Sequence, residues 1–353
     1  MPQIDQLLEE VLKRRGSDLH FLAGDPPRIR LNGELSPLRR DPTPAETAKE
    51  TLYEIMPRKA VERFEAKDGA DFAYTLTGKG RFRVNVMRQL NGMGAVFRAI
   101  PSQALTLDQL DMPLAVRQLC NAVSGLILVT GKTGSGKSTS LAAMIDDINK
   151  RIKGHILTVE DPIEFVHPRH NCLISQREIG VHAPSFAAAL HSALREDPDV
   201  ILVGELRDLE TMSMAVTAAE MGILVMGTLH TNGAAQTVDR MVNAFPADKQ
   251  SHVRTMLSTS LRGVVSQQLL KKADGGGRVA ALEILINTPA AANLIRQGKL
   301  DQIENVMQTG AAFGMKTMDS AINALFDAGT VTGAEAFRKA INKTKFEQYK
   351  DQP

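Results

Sequence analysis

The sequence predicts an α/β protein in which a mainly parallel sheet carries helices on both faces, preceded by a smaller α+β domain. Short apolar segments alternate with helical patterns beyond residue 113, which is typical of parallel strands joined by crossover helices. The first hundred residues instead combine helical patterns with hairpin-like strands. At 353 residues the chain also exceeds one typical domain of roughly 100–200 residues, so two domains are expected.

The first domain is predicted over residues 1–100. Apolar residues at helical spacing indicate a first helix that Gly16 ends, and they are Ile4, Leu7, Leu8, Val11 and Leu12. The pair Asn32-Gly33 tolerates the positive φ angles of a tight turn, so it predicts a hairpin. Thr43 and Glu46 resemble a capping box for a helix that ends before Pro57. Further strands are expected at 72–76, 81–87 and 95–100.

The rest of the chain is divided into a linker at 101–113, a core domain at 114–289 and a C-terminal helical region at 290–353. Five apolar segments are the expected core strands, at 126–130, 156–159, 200–203, 223–229 and 280–286. In the helical region one apolar face is indicated by Met318, Ile322, Leu325 and Phe326. Thr332 and Glu335 form a further candidate capping box.

Composition excludes several classes of protein. With 42 basic and 40 acidic residues, the net charge of +2 gives no electrostatic footprint for nucleic acid. Two cysteines, Cys120 and Cys172, exclude a disulfide framework and a four-cysteine zinc site, and they favour a reducing cytoplasm. No signal peptide is visible, and the apolar runs fall short of the roughly 18 residues of a membrane span. Any membrane contact is therefore expected to be peripheral.

The strongest signal for chemistry is GKTGSGKST at residues 131–139, which fits G-x-x-x-x-G-K-[ST] between a predicted strand and a predicted helix. Glycines let backbone amides curl around phosphates, and the helix N-terminus adds positive potential. Lys137 is expected to neutralise the β/γ-phosphate oxygens and Ser138 to ligate Mg²⁺. The predicted ATP-binding residues are Gly131, Lys132, Thr133, Gly134, Ser135, Gly136, Lys137, Ser138 and Thr139.

Acidic residues follow the second predicted strand of the core. Because ligands bind beyond the carboxyl ends of parallel strands, Glu160, Asp161 and Glu164 are expected at the edge that carries the phosphate-binding loop. Asp161 is a candidate metal ligand, and Glu160 and Glu164 are candidates to face the attacking water. A solvated loop with a helix cap is the alternative interpretation of these three acids.

The third and fourth predicted strands of the core also end at candidate catalytic residues. Glu205 stands where a hydrolytic P-loop enzyme needs a carboxylate to orient or deprotonate water. Gly204 replaces the aspartate that usually contacts the metal, so Mg²⁺ is expected to depend more on Ser138, on water and on the acidic residues after the second strand. His230 follows the next strand, although a lone histidine is more often structural than catalytic.

Arginines in the first domain are candidate phosphate contacts. Arg81 and Arg83 alternate onto one face of a predicted strand, and Arg98 lies in the next strand. The planar guanidinium binds phosphoryl oxygens through two hydrogen bonds, so these residues could stabilise the transferring group. A solvated strand face is the alternative interpretation.

Taken together, these segments resemble the type IV pilus retraction ATPases of the secretion ATPase superfamily over nearly the whole chain. GKTGSGKST is similar to their Walker A box, TVEDPIE to their Asp box, ILVGELRDLET to their atypical Walker B box and GTLHTN to their His box. The segments SDLH, RFRVN and AVFRAIP resemble their first domain, and NLIRQGK and FGMKTMD their C-terminal region. One segment departs from the family, because Ala290, Ala291 and Ala292 stand where its retraction motif reads Ala-Ile-Arg.

The resemblance implies a PAS-like first domain and a RecA-like second domain in a ring of six subunits. It also implies hydrolysis of ATP with Mg²⁺, and a role for Arg81, Arg83 and Arg98 at the nucleotide. The expected function is a cytoplasmic motor that powers pilus retraction and twitching motility. Such a motor docks on an inner-membrane platform protein of the pilus and could also work with a paralogous retraction ATPase.

The sequence leaves three alternative functions open. The departure at 290–292 leaves an accessory retraction ATPase possible. A RecA-like nucleic-acid motor is a second alternative, although Trp is absent and aromatic residues make up only 4%, so stacking platforms for single strands are scarce. A regulatory nucleotide binder is the third, against which Glu205 and His230 argue.

Overall fold

A computed structural model describes residues 2–31, 33–100 and 104–350. In this structure the chain forms two units. The first unit contains the described residues up to 100 together with 164–166, and the second contains 104–163 and 167–350. Asn32 of the predicted hairpin and residues 101–103 of the predicted linker lie outside the described residues. The remainder of that predicted linker belongs to the second unit, where Leu107 and Met112 are buried.

The first unit is built on a six-stranded sheet whose strand order is β3-β2-β1-β6-β5-β4 and whose neighbours all pair antiparallel. Buried Phe82, Val84 and Val86 alternate along one strand with exposed Arg83 and Asn85, so one face of the sheet meets the apolar core and the other is polar. The elements are α1 (Gln3–Lys13), β1 (Asp18–Leu22), β2 (Arg28–Leu31), β3 (Glu34–Pro37), α2 (Ala45–Ile55), α3 (Arg58–Lys67), β4 (Gly69–Leu76), β5 (Gly80–Gln89) and β6 (Gly92–Ile100).

The ends of two predicted helices differ from expectation. The left-handed residue after α1 is Arg15 (φ 55°), one residue before the predicted stop at Gly16, and the amide of Gly16 donates to Val11 O at 2.8 Å. At the start of α2, Pro44 itself is the extended residue before the helix, and no side chain caps it. The prediction that Thr43 caps this helix is therefore wrong by one residue.

The second unit is built on a seven-stranded sheet in the order β13-β12-β7-β11-β10-β8-β9. All its neighbours pair parallel except β12 and β13. The sequence predicts the last strand as one more parallel strand, but residues 272–277 turn the chain directly back and make the pair antiparallel. The strands are β7 (Gly125–Thr130), β8 (His155–Glu160), β9 (Leu173–Glu178), β10 (Val200–Val203), β11 (Leu224–Leu229), β12 (Leu261–Lys271) and β13 (Arg278–Ile286).

Helices cover both faces of this sheet, as predicted. Leu141, Met144 and Ile145 of α5 belong to one buried cluster, and helices α6 to α11 contribute to a second cluster that shares the same strands. The helices are α4 (Leu114–Leu119), α5 (Lys137–Arg151), α6 (Phe186–Ala193), α7 (Leu209–Glu220), α8 (Ala234–Asn243), α9 (Gln250–Ser260), α10 (Pro289–Gln297), α11 (Ile303–Thr309), α12 (Met318–Asp327), α13 (Gly333–Lys339) and α14 (Lys343–Phe346).

The C-terminal residues form helices, as predicted, with three short 3-10 turns at Leu300–Gln302, Ala311–Phe313 and Glu347–Tyr349. Met318 and Ile322 of α12 are buried in a small core against β12 and α13, and Leu325 and Phe326 pack on it. Across the described part of the chain, no helix combines the length and the apolar character needed to cross a bilayer.

Candidate nucleotide-binding and catalytic site

Four adjacent parallel strands carry the predicted chemistry to one edge of the sheet. In the order β7-β11-β10-β8, these strands are followed by the phosphate-binding loop, His230, Glu205 and the Glu160 segment. Because parallel strands end at the same edge, residues separated by up to about a hundred positions in the sequence become neighbours. The sheet topology alone therefore brings together the loop and three predicted acid or base residues.

The loop at 131–136 connects β7 to the N-terminus of α5. Gly131 adopts φ 139°, and a side-chain carbon there would lie 2.3 Å from Gln267 O and 2.6 Å from Ser135 Oγ. The position therefore requires glycine for both its conformation and its close approach to β12. The buried Lys137 donates from Nζ to Gly131 O at 2.8 Å and to Lys132 O at 3.2 Å, which places its ammonium inside the curl of the loop.

The loop fits an anionic ligand. Ser135 Oγ is buried and has no hydrogen-bond partner within the described residues, and such an orphaned hydroxyl is typical of a site completed by a ligand. Ser138 and Thr139 lie in the first turn of α5 and are partly exposed. No group of three or more His, Cys, Asp or Glu side chains in the described ranges could hold a metal ion. Ser138 lies at the N-terminus of α5, and a hydroxyl oxygen in this position is a suitable ligand for Mg²⁺ beside phosphate oxygens.

Gln267 supports this loop, and the sequence did not reveal it. Its Oε1 accepts a hydrogen bond of 2.7 Å from Ser140 Oγ in α5, and both side chains are buried. If position 136 carried a side chain instead of glycine, its first carbon would lie 2.8 Å from Gln267 Nε2, so the two segments are closely packed. Gln267 on β12 therefore fixes the start of α5 and the two ends of the loop.

Glu205 lies between two basic side chains. Its Oε2 is 2.7 Å from Arg207 Nη2, and its Oε1 is 3.2 Å from His230 Nε2. Burial raises the pKa of Glu205, but the hydrogen bond and charge of Arg207, with the charge of His230, outweigh burial and lower this pKa below its ordinary value. Glu205 is thus held as a carboxylate, which suits orientation of a water molecule better than removal of its proton.

Arg207 was not singled out in the sequence because it follows Glu205 in a loop without periodicity. Replacing it with glutamine should raise the pKa of Glu205, since the largest opposing cause, burial, remains. We expect the acidic limb of the pH profile of kcat to move to higher pH in Arg207→Gln. Arg177→Gln, which breaks a 3.0 Å pair with Glu196 elsewhere in this unit, is the matched control and should leave the limb in place. An unchanged limb in Arg207→Gln would contradict this electrostatic role.

Gly204 has a steric reason in the structure. A side-chain carbon there would lie 3.2 Å from both Glu160 Cα and Val159 O, and its amide donates to Val159 O at 2.7 Å. Such contacts are tighter than ordinary packing, so an aspartate would require β8 to yield by a few tenths of an ångström. The spacing of β8 and β10 therefore favours glycine at position 204.

The acidic segment after β8 is placed as follows. Glu160 is buried, and its Oε1 accepts from Thr158 Oγ1 at 2.6 Å and from Gln176 Nε2 at 3.3 Å. Asp161 is exposed and raises the pKa of Arg207 together with the stronger contact of Glu205. Glu164 groups with the first unit. The structure thus brings Asp161 near the Glu205 cluster and leaves one oxygen of Glu160 engaged by its own strand neighbours.

The three candidate arginines lie together on the polar face of the first unit's sheet. Arg83 and Arg98 are directly opposite each other on β5 and β6, and Arg81 precedes Arg83 by two residues on the same face. Arg98 Nε pairs with the buried Asp18 at 2.9 Å. Arg83 and Arg98 also line a shallow groove with Asp71, Asn85 and Val96. The groove therefore places two guanidinium groups beside the carboxylate of Asp71.

Known proteins resemble this chain over its length. A family model described as Type II/IV secretion system protein matches residues 1–312. The type IV pilus retraction ATPase PilT of Pseudomonas aeruginosa is 50% identical over 337 residues, which cover 96% of this chain and 98% of that protein. The type IV pilus ATPase PilU of the same species is 40% identical, over 96% of this chain and 88% of that protein.

Solved structures agree with these relatives. A crystal structure described as the pilus retraction motor PilT with bound ADP superposes with a TM-score of 0.91 at 43% identity, and the match covers 98% of this chain and 99% of that one. The RecA-like α/β architecture expected from the motifs is therefore confirmed, as is the expected nucleotide-binding ATPase. The chain belongs to the type II/IV secretion system protein family, within the group of its ATPases that includes the type IV pilus retraction ATPases.

Proposed function

We propose that this protein is a hexameric motor that hydrolyses ATP to retract type IV pili and so supports twitching motility. The observation that carries the proposal is the convergence of the phosphate-binding loop, Glu205, Arg207 and His230 at one sheet edge. The relatives whose names contain pilus retraction and twitching motility, 50% identical to this chain, supply the biological context. The motor would act at the cytoplasmic face of the inner membrane on a platform protein of the pilus.

The residue roles follow from the geometry of the second unit. Lys137 would hold the β/γ-phosphate oxygens. Ser138 would hold Mg²⁺ together with Asp161, either directly or through water. The bound ion would supply positive charge to the same phosphate oxygens. Glu205 would orient the attacking water, because Arg207 and His230 keep it ionised. Glu160 and Glu164 would face the attacking water.

Arg81, Arg83 and Arg98 would stabilise charge on the transferring phosphoryl group. The position of Arg83 directly opposite Arg98 supports this role, because two guanidinium groups on one face can bind phosphoryl oxygens together. Single alanine variants should lower kcat by about 10³-fold or more, as arginine fingers do, and should change nucleotide affinity far less. Arg88→Ala, an arginine of the same strand that pairs with Asp68, is the control. Wild-type turnover in all three variants would reject the role.

Retraction itself is tested in the host cell. Deleting the gene should leave cells that extend labelled pili without withdrawing them, and restoring the wild-type gene should restore withdrawal. Restoring a Lys137→Ala gene should not, because the site would lose its principal cation for the phosphates. Normal withdrawal in the deletion strain would contradict the proposed function.

An accessory retraction ATPase is the second candidate, favoured by one segment of α10. Ala291 is fully buried and Ala292 is half-buried where the family motif has Ile and Arg, so these two positions carry a smaller core side chain and no charge. A principal motor should restore withdrawal in a host without any related ATPase. An accessory one should do so only beside a principal motor.

A further inference from the structure

Two buried polar residues lie in the middle of strand β12, and each binds a different segment of the site. Ser266 and Gln267 are both buried, and successive side chains of a strand point to opposite faces. On one face, Gln267 binds Ser140 of α5. On the other face, Ser266 Oγ accepts a hydrogen bond of 2.9 Å from the amide of Gly233. One strand thus contacts both the phosphate-binding loop and the segment after His230.

Glu283 on β13 is paired with Ser266 and extends this second contact. Its Oε1 accepts from the amide of Ala234, the first residue of α8, at 2.7 Å. Its Oε2 accepts from the amide of Met318, the first residue of α12, at 3.1 Å. A carboxylate at two helix N-termini is favourable, since both helix dipoles present positive potential there.

The side chain of Glu283 is largely shielded from solvent that could replace these bonds. Glu283 is 7% exposed, and burial raises its pKa while the two amides oppose that change. Each of its oxygens serves a different helix. A buried acceptor of this kind is costly to remove, because two amides would lose their partner at once.

The segment from His230 to Ala234 is short and held at both ends. His230 follows β11 directly, and Thr237 Oγ1 donates to Gly233 O at 2.7 Å while Thr231 Oγ1 lies 2.8 Å from Thr237 Oγ1. Because so few residues separate His230 from the amides that Ser266 and Glu283 bind, their position sets where the imidazole meets Glu205.

We propose that Glu283 is a positioning residue for ATP hydrolysis, whose carboxylate fixes the segment carrying His230 and joins it to helix α12 of the C-terminal region. Through this contact the C-terminal helices help set the distance between His230 and Glu205. The inference rests on the catalytic roles proposed above for His230 and Glu205.

Glu283→Gln is the direct test, because glutamine keeps the size of the side chain but offers one acceptor oxygen for two amide donors. We expect kcat to fall roughly 10- to 100-fold, as small displacements of catalytic groups do. KM and the affinity for an ATP analogue should stay within about threefold of wild type. Ser266→Ala, which removes only the neighbouring acceptor, should lower kcat in the same way but less, and it serves if Glu283→Gln does not fold.

Glu335→Gln is the matched control. Glu335 is equally buried and binds the amide of Lys271 at 2.9 Å and Arg338, so it fixes C-terminal helices without contacting the His230 segment. Its loss should lower the melting temperature and leave kcat unchanged. Equal losses of kcat in Glu283→Gln and Glu335→Gln would overturn the proposal, as would wild-type kcat in Glu283→Gln.

A double-mutant cycle with His230→Ala separates the two levels of the inference. If Glu283 acts through His230, either Glu283→Gln or Ser266→Ala should cost little more once the imidazole is gone. If the double variant instead loses kcat by the product of the two single losses, the role of Glu283 is overturned while that of His230 stays intact. Wild-type kcat in His230→Ala alone would instead remove the proposed role of His230, and with it the basis of the inference.

Discussion

Replacing Lys137 with alanine should nearly abolish nucleotide binding. The buried ammonium of Lys137 lies 2.8 Å from Gly131 O within the loop, so its loss removes the charged donor to the phosphates and leaves the backbone in place. The measurement is the affinity for an ATP analogue with Mg²⁺ present. Lys150→Ala, a lysine of the same helix that pairs with Asp146, should bind as wild type does. An affinity of Lys137→Ala within about threefold of wild type, about 0.7 kcal/mol, would contradict the assignment.

Replacing Glu205 with glutamine should abolish most hydrolysis and leave binding intact. Glutamine keeps the size and polarity of the side chain but loses the charge that pairs with Arg207 and His230 and orients water. Positioned acid or base groups contribute about 10²–10⁴ in rate, so kcat should fall by that factor. Glu196→Gln, which loses the carboxylate of a comparable pair with Arg177, is the control for a general effect of removing charge.

The sequence predicted the elements whose signal is local. The loop at 131–139 and the apolar segments of β7, β8, β10 and β11 can be recognised within a few residues of each, and the structure has them where they were expected. The rule that parallel strands end at one edge was enough to predict that Glu205 and His230 lie on the same side of the sheet as the loop. Their 3.2 Å contact follows from that topology.

Strands β9 and β12 were missed for physical reasons. The segment LISQRE of β9 lies at the edge of the sheet and has no apolar run, and β12 follows α9 without any turn residue between Ser260 and Leu261. Ser266 and Gln267 also break the apolar pattern of β12, since their polar atoms bind Gly233, which precedes α8, and Ser140 of α5. Such contacts depend on which helix crosses the strand, and no local pattern encodes that.

The supporting residues of the site were missed for the same reason. Arg207 and Glu283 look like ordinary charged residues in the sequence. The sheet register places Glu283 beside Ser266, and the conformation of the loop after β10 brings Arg207 onto Glu205. Gly204 was recognised as a departure from the usual aspartate, but its cause became clear only from the 3.2 Å distance to β8. Long-range packing thus decides which residues support the predicted catalytic side chains.

Steady-state hydrolysis by mixed rings tests the central claim, a coupled motor driven by ATP hydrolysis at Glu205, most directly. Wild-type protein is assembled with increasing fractions of Glu205→Gln protein, and light scattering checks that hexamers form. Because a subunit that binds ATP without hydrolysing it should stall its neighbours, we expect activity to fall faster than the mutant fraction rises. A straight-line decrease would contradict the coupled ring, and full activity of the pure Glu205→Gln protein would contradict the catalytic role of Glu205.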